Sequence, residues 1–455
     1  MIKTDVLILG GGLAGLSTAY HLNRTSKFSS LVIEKSKTVG GTAGSVRHEG
    51  FIFDHTGHLL HLHDPYGKKL ILDLLKGNWK LHQRSSWIYS QDSYTRYPFQ
   101  ANTYGLPWPA VEDCVTGFLK TVYRPESRPL PRNPSFRDWS LRHFGEGISR
   151  HFMFPYNEKL WRAKLSELTT EWQGRFVPKP GASEVIYGAL MDQKKFFGYN
   201  ADFRYPVRGG IQVLPDAIAS RLKPGQVRSG CAVRYVDLKE RVAVVEGLGE
   251  VSFERLVNTM PLVDFLDLAR PFPSLVILAR LRLRYNTVYN LNIGVARANI
   301  SDKHWIYFPE KKYAFYRAGC STNFSPNLAP RGASSLYVEV SRRSDEKVDL
   351  AGLEKQVFTG LRSCGLLKSS DKLLAKLWMP IRCGYVVYDF NRTPAVKAIF
   401  AHLDKIGVES IGRYGGWKYS FMEETILDGK RCAERLSGRR LGNEKQSQTE
   451  LKSLK

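Results

Sequence analysis

The run Gly10-Gly11-Gly12-Leu13-Ala14-Gly15 lies directly behind the apolar stretch Asp5-Val6-Leu7-Ile8-Leu9, and Glu34 closes the next one, Ser30-Leu31-Val32-Ile33. Glycines alone make ordinary turns. Here they stand between a buried-strand pattern and a helix pattern running from Leu13 to Leu22, with an acid about 20 residues on. That combination confines the chain to a dinucleotide-binding βαβ unit. Gly10 permits the tight turn, Gly12 lets backbone approach a pyrophosphate, and Gly15 lets the helix pack on the strand. The helix start at Leu13 and Ala14 turns free N–H groups and a positive dipole end toward phosphates. Glu34 is placed to accept hydrogen bonds from a ribose.

The residues after Glu34 distinguish the dinucleotide. Lys35-Ser36-Lys37-Thr38-Val39-Gly40-Gly41-Thr42-Ala43-Gly44 puts a short polar stretch and then Gly-Gly behind the acid, which is unusual for a nicotinamide dehydrogenase. It resembles the second motif of two-dinucleotide-type flavoproteins, among them the amine oxidases, protoporphyrinogen oxidase and UDP-galactopyranose mutase. The resemblance implies FAD, with Lys35, Gly41 and Thr42 beside it.

At 455 residues the chain is long enough for two or three domains. No apolar run reaches the roughly 18 residues of a membrane helix, and the sequence enters its first strand at once, so neither an integral membrane segment nor a signal peptide is expected. The cysteines (Cys114, Cys231, Cys320, Cys364, Cys383, Cys432) are scattered. That pattern argues against a zinc site or a disulfide framework and for a reducing, cytoplasmic setting. The net charge of +24 implies an anionic partner. It is spread along the chain, with no nucleic-acid module, so nucleic acid is not the expected partner. A phosphate-bearing substrate and cofactor account for part of the charge, and peripheral contact with anionic lipid is compatible with the rest.

The organisation reads as α/β: a Rossmann-like FAD-binding domain assembled from residues 1–100, 205–265 and 380–437, with two insertions. Residues 101–204 read as a helical substrate or cap region, with helical spacing over Trp108 to Tyr123, Phe136 to Phe144 and Ile148 to Trp161. The Pro-rich basic segment Arg124 to Arg132 reads as a loop. Alternation over Tyr289 to Val295 and Leu336 to Val340 marks 266–379 as a largely antiparallel sheet. Strand-like runs also cover Val227 to Val236, Val242 to Val245 and Val251 to Val257, after a helix that ends near Leu222. The charged tail 438–455 is expected to be disordered.

Further blocks narrow the resemblance. They are Phe51-x-Phe-Asp54 with Gly57-His58; Arg96-Tyr97-Pro98-Phe99-Gln100; Pro155-Tyr156-Asn157 with Trp161; Gly174-Arg175; Phe203 to Pro206 with Arg208-Gly209-Gly210; Trp305 to Glu310; Phe315-Tyr316-Arg317; and Gly412-Arg413-Tyr414-Gly415 with Trp417 and Tyr419. In order and spacing from residue 6 to about 430 they resemble the UDP-galactopyranose mutase family, closest to its eukaryotic-type branch. In that family reduced FAD acts as a nucleophile through N5, displacing UDP from the sugar before ring opening and contraction. The resemblance therefore implies a nucleotide-diphosphate sugar as substrate and NAD(P)H as a candidate reductant, whose site would overlap the substrate cleft.

Residue by residue, the resemblance places Arg317 and Arg413 on the diphosphate, where forked guanidinium donors suit a leaving phosphate better than lysine. Tyr307, Tyr385 and Tyr419 would reach the same phosphates. Tyr97, Phe99 and Gln100 would hold the base, and Asn157, Trp161 and Arg175 would line the cleft. Gly57 and His58 would lie beside the isoalloxazine, with Gly412 and Tyr419 on the flavin from the C-terminal side. His58 belongs to a group with His55, His61 and His63 whose i, i+3 spacing and internal glycine do not suggest a metal site.

Two positions depart from the pattern. Thr56-Gly57-His58 replaces the family's usual Gly-Gly-His. Ser420-Phe421-Met422-Glu423-Glu424 replaces a Gly-Asn-Gln-Asp-like stretch and resembles the amine-oxidase ending. A carboxylate at Glu423 would repel a diphosphate unless it points away. The alternative activity is oxidation of an amine, porphyrinogen or polyene-like substrate. Arg317 and Arg413 separate the two, because a hydride acceptor for an apolar substrate needs no pair of cleft arginines.

Overall fold

Val6 to Leu9 are enclosed on both faces, as a run without alternation requires of a strand inside a parallel sheet. In the computed structural model, which describes residues 1–123, 129–195, 197–198 and 201–438 and all their side chains except that of Arg175, the strand Ile2–Leu9 pairs in parallel with Ser30–Glu34 on one side. On the other side it pairs in parallel with Gly249–Asn258. Val227–Ser229 extends the parallel block beyond Ser30–Glu34, and Val408–Ser410 joins the far half of Gly249–Asn258. The strands Val233–Asp237 and Val242–Val245 add antiparallel to the near half, completing an eight-stranded mixed sheet with Ala269–Arg270 at its edge. The helix Leu13–Thr25 follows the glycine loop, and Met422–Leu436 packs along it.

The expected continuous strand from Val227 to Val236 is interrupted. Gly230 turns the backbone left-handed and donates its N–H to the Ser36 carbonyl instead of continuing the ladder. The helix expected to reach Leu222 covers Val213–Ala219, short of Pro224, whose ring disfavours helical geometry in the residue before it.

The second sheet has seven strands, in the order Leu373–Val386, Tyr285–Val295, Ser334–Arg343, Arg317–Cys320, Trp305–Tyr307, Ser86–Ser90, Ser93–Arg96. Every pair is antiparallel except Trp305–Tyr307 with Ser86–Ser90. The sequence boundaries group residues 86–96 with the dinucleotide unit, yet the structure hydrogen-bonds them into this sheet. Conversely, Ala269–Arg270 is paired in the first sheet although it follows residue 265.

The helices Trp108–Tyr123, Phe136–Ile148 and Phe154–Trp161, with a π-helical turn over Ser149–Met153, form the expected helical region. Their apolar faces share a core with the sheet strands around Phe99, Phe136, Trp161 and Tyr316. Residues 124–128 of the Pro-rich segment and 439–455 of the tail lie outside the described residues.

Candidate active site

The dinucleotide cradle is built at the ends of three parallel strands. Gly10 is left-handed (φ +106°), and a Cβ there would strike the Thr259 hydroxyl at 2.5 Å. Glu34 is buried. Its Oε2 accepts the Gly11 N–H at 2.8 Å and its Oε1 the Ser36 N–H at 2.8 Å, so the acid holds the loop it follows. Leu13, Ala14 and Gly15 form the first helical turn, while Lys35 is exposed. A Cβ on Gly12 would meet nothing nearer than the Gly40 carbonyl at 4.0 Å, and one on Gly41 nothing nearer than Gly12 Cα at 3.6 Å. The two glycine loops are joined by the Gly40 N–H on the Gly11 carbonyl at 2.8 Å, and together they present a side-chain-free backbone trough at Gly12 and Gly41, beside Thr42.

Gly412 (φ +79°) closes the trough from the far end of the chain, where a Cβ would lie 2.7 Å from Ala14 Cβ. That segment is fastened by Ile411 N–H to the Asn258 carbonyl at 2.9 Å and by the Ser410 hydroxyl to the Gly415 carbonyl at 2.8 Å. The open glycine trough and the buried acid fit FAD.

Beyond the trough, polar side chains from distant segments converge. Cross-strand register puts Tyr307 opposite Arg317 and Arg317 opposite Glu339. The Arg317 guanidinium forks onto the fully buried Glu339 carboxylate at 2.7, 2.8 and 3.0 Å, and Glu339 also accepts the Tyr316 hydroxyl. Arg413 lies over the Tyr419 ring at 4.7 Å and the Tyr385 ring at 5.4 Å, and donates to the Ser420 and Gly384 carbonyls at 2.9 and 3.3 Å. Among the described residues it has no acidic partner within 4.0 Å.

Tyr385 and Tyr419 stack with centroids 5.9 Å apart; Tyr97 and Tyr156 approach Tyr307 at 5.2 and 5.4 Å. Burial raises the pKa of Tyr97, Tyr156, Tyr385 and Tyr419, so their phenols remain donors at neutral pH. Burial, then His55, Arg413 and Arg317 in that order, lowers His58 to about 3. Its imidazole is therefore neutral, and its Nδ1 is enclosed without a hydrogen-bond partner. Gly57 permits this approach, since a Cβ there would lie 2.6 Å from the Tyr337 hydroxyl.

The structure thus brings together His58, Tyr97, Tyr307, Arg317, Tyr385, Arg413 and Tyr419, all partly exposed. It places other expected site residues behind that wall. Phe99 is fully buried, stacked on Phe152 at 5.0 Å, because it plugs the helical core. The Gln100 amide donates to the Pro178 carbonyl at 2.7 Å, and the Asn157 amide to the Met153 carbonyl at 2.8 Å, one turn back along its own helix. Trp161 is buried edge-on to Tyr385 at 5.7 Å, with its indole N–H unpartnered. The Arg175 side chain lies outside the described residues. Of the neighbouring histidines, His55 and His61 face the backbone carbonyls of Gly44 and Asp202, each at 3.1 Å.

Glu423 points away from the cleft. Its carboxylate accepts the His63 N–H at 2.9 and 3.0 Å and the Asp64 N–H at 3.1 Å, at the start of the helix Pro65–Leu75.

Two residues escape sequence reasoning. Glu339 belongs to an alternating strand and reads there as an ordinary outward position. Lys159 reads as a solvated helix residue, yet its ammonium donates to the Phe308, Glu310 and Phe315 carbonyls at 2.7, 2.6 and 3.2 Å. It thereby ties the helical region to the hairpin between Tyr307 and Arg317, and burial lowers its pKa to about 7.

Fold and cradle together define a flavin-dependent enzyme of the amine oxidase superfamily. The model of the flavin containing amine oxidoreductase family matches residues 13–437, and the chain belongs to that family. It superimposes on a crystal structure of reduced UDP-galactopyranose mutase with a TM-score of 0.90 at 26% identity, covering 96% of this chain and 94% of that one. It is a mutase-like FAD flavoprotein. A putative protoporphyrinogen oxidase from Exiguobacterium sp. 255-15 shares the fold at TM-score 0.71 and 12% identity, covering 96% and 99% of the two chains. Coproporphyrinogen III oxidase of Bacillus subtilis (strain 168) is 19% identical over 374 residues, 76% of this chain and 79% of that protein. No helix among the described residues is long and apolar enough to cross a membrane.

Proposed function

We propose that this chain interconverts the pyranose and furanose forms of a nucleotide-diphosphate sugar, with UDP-galactose the first substrate to test. The observation that carries the reading is the convergence of Arg317, Arg413, the phenols of Tyr307, Tyr385 and Tyr419, and neutral His58 in one cleft beside the flavin trough. The likeness to reduced UDP-galactopyranose mutase supports it.

Bound reduced FAD supplies the nucleophile. The chain's residues hold the diphosphate and exclude water. Arg413 carries the uncompensated charge, and two backbone carbonyls fix its fork. The tyrosine hydroxyls donate to phosphate oxygens, and the Tyr97 ring offers a face to the base. Glu423 spends its charge on a helix start, so it does not oppose a diphosphate. The flavin unit is built from residues 1–100, 205–265 and 380–437, less residues 86–96 and the end of Leu373–Val386, which pair into the second sheet, and with Ala269–Arg270 added; it encloses the cap 101–204 and the sheet region. NAD(P)H is the reductant to try first.

A second reading, oxidation of an amine or porphyrinogen, is favoured by one feature: Glu339 neutralises Arg317, so that of this pair only Arg413 is left without an acidic partner among the described residues. The deciding experiment gives dithionite-reduced protein UDP-galactofuranose and follows the pyranose by chromatography. Conversion is expected, and Arg413→Ala should lower it by about 10²–10³-fold while the yellow cofactor stays bound. No conversion, together with flavin bleaching by an amine or a porphyrinogen, would establish the oxidase instead.

A further inference from the structure

The helix Ser274–Leu281 is apolar apart from Ser274 at its start and Arg280, which is paired with Asp267. Val276 and Ala279 face inward at 1% and 6% exposure, and Leu283 just beyond continues that stripe at 5%. On the opposite side Leu275, Ile277, Leu278 and Leu281 stand in solvent at 65%, 50%, 58% and 71% exposure. An amphipathic helix ordinarily turns its polar side to water; here the outward face is apolar, and contiguous exposed apolar surface of this kind marks an interaction site.

Its surroundings are basic. Arg282 follows the helix and Arg270 precedes it, both exposed and without a carboxylate partner among the described residues, and Lys405 is exposed at the end of the neighbouring helix Arg392–Lys405. Of the nearby acids, Asp267 pairs with Arg280 and Asp264 with Arg382, while Asp237, opposite Arg270 in the sheet, accepts the Lys239 and Glu240 N–H groups and Asp404 stands beside Lys405.

We propose that this helix is a peripheral anchor that seats the enzyme on an anionic lipid surface, its leucines entering the interface and the flanking cations meeting the headgroups. Apolar insertion combined with basic flanks is the chemistry of interfacial helices, and the chain's net charge of +24 acts in the same direction. Size argues against a second copy as the occupant. An eight-residue helix is about 12 Å long and about 10 Å across, so its outer face covers on the order of 10² Å², far short of the roughly 800 Å² per partner that a stable dimer buries. The inference does not depend on the reaction proposed above.

The test is co-sedimentation of full-length holoprotein with phosphatidylserine–phosphatidylcholine vesicles, alongside phosphatidylcholine alone. The comparison is the combined variant Leu275→Ser, Leu278→Ser, Leu281→Ser, whose fold is checked by flavin absorbance. Wild type should bind only the anionic vesicles and be released by salt, and the variant should bind at least about tenfold more weakly. If the variant does not retain flavin, Arg282→Gln replaces it and should bind more weakly with a shallower salt dependence. Three results would overturn the proposal. They are wild type that ignores anionic vesicles at low salt, a folded variant that binds as well as wild type, and a wild-type dimer in gel filtration that the serine variant converts to monomer.

Discussion

Arg317 and Arg413 share one cleft but should respond differently to truncation. Arg317 neutralises a fully buried carboxylate, so Arg317→Ala strands Glu339 and should cost about 3–5 kcal/mol in urea unfolding. Replacing the whole cluster, as Arg317→Leu and Glu339→Leu with Tyr316→Phe, should recover most of that loss, because apolar groups leave neither an orphaned charge nor an orphaned hydroxyl. Arg413 has no such partner, which makes it the cleaner probe of chemistry. The arginines were legible from their neighbours, Phe-Tyr-Arg and Gly-Arg-Tyr-Gly. Glu339 was not, because only the pairing of strands far apart in sequence sets it opposite Arg317. Thr56 is a third case: its φ is +72°, where a β-branched side chain is strained. The resemblance to the mutase family implies glycine at this position. Thr56→Gly should therefore stabilise the fold by about 1 kcal/mol, read as a raised Tm.

At the level of elements, Glu423 links two helices. It sits in the first turn of Met422–Leu436 and receives backbone N–H groups from the start of Pro65–Leu75. Glu423→Ala should cost about 1–2 kcal/mol in unfolding, as loss of a helix cap does, while leaving the KM for a nucleotide sugar near the wild-type value. A large drop in KM would mean that the carboxylate acts on the diphosphate after all. The helices of the cap were legible because their apolar periodicity is local. The membership of Ser86–Ser90 in the second sheet was not, since it rests on parallel pairing with Trp305–Tyr307 more than 200 residues away. Asn157 and Gln100 illustrate a related limit: a motif can mark a segment of the cleft wall without saying which side chain faces inward.

Across the whole molecule, buried histidines set the response to acid. Burial lowers His58 to about 3, and His61 and His304 to about 4. A base with a depressed native pKa takes up protons on unfolding, so its stabilising contribution is full above its ordinary value near 6.5. That contribution is lost as pH falls toward the native value. Asp54, raised to about 6 by burial, acts in the opposite direction. Among these most strongly shifted groups the histidines outnumber the acid, so stability should fall as the pH drops from about 6 toward 4. Urea midpoints across that range check this, and a flat profile would contradict it.

The junction of Gly412 with Ala14 also bears on biogenesis. The pyrophosphate loop leaves the ribosome well before the segment that closes over it. A nascent chain halted before residue 412 lacks that closure. Capture of the yellow prosthetic group should therefore wait for residue 412 to emerge, and limited supply of its vitamin precursor should leave colourless protein to be removed by proteases.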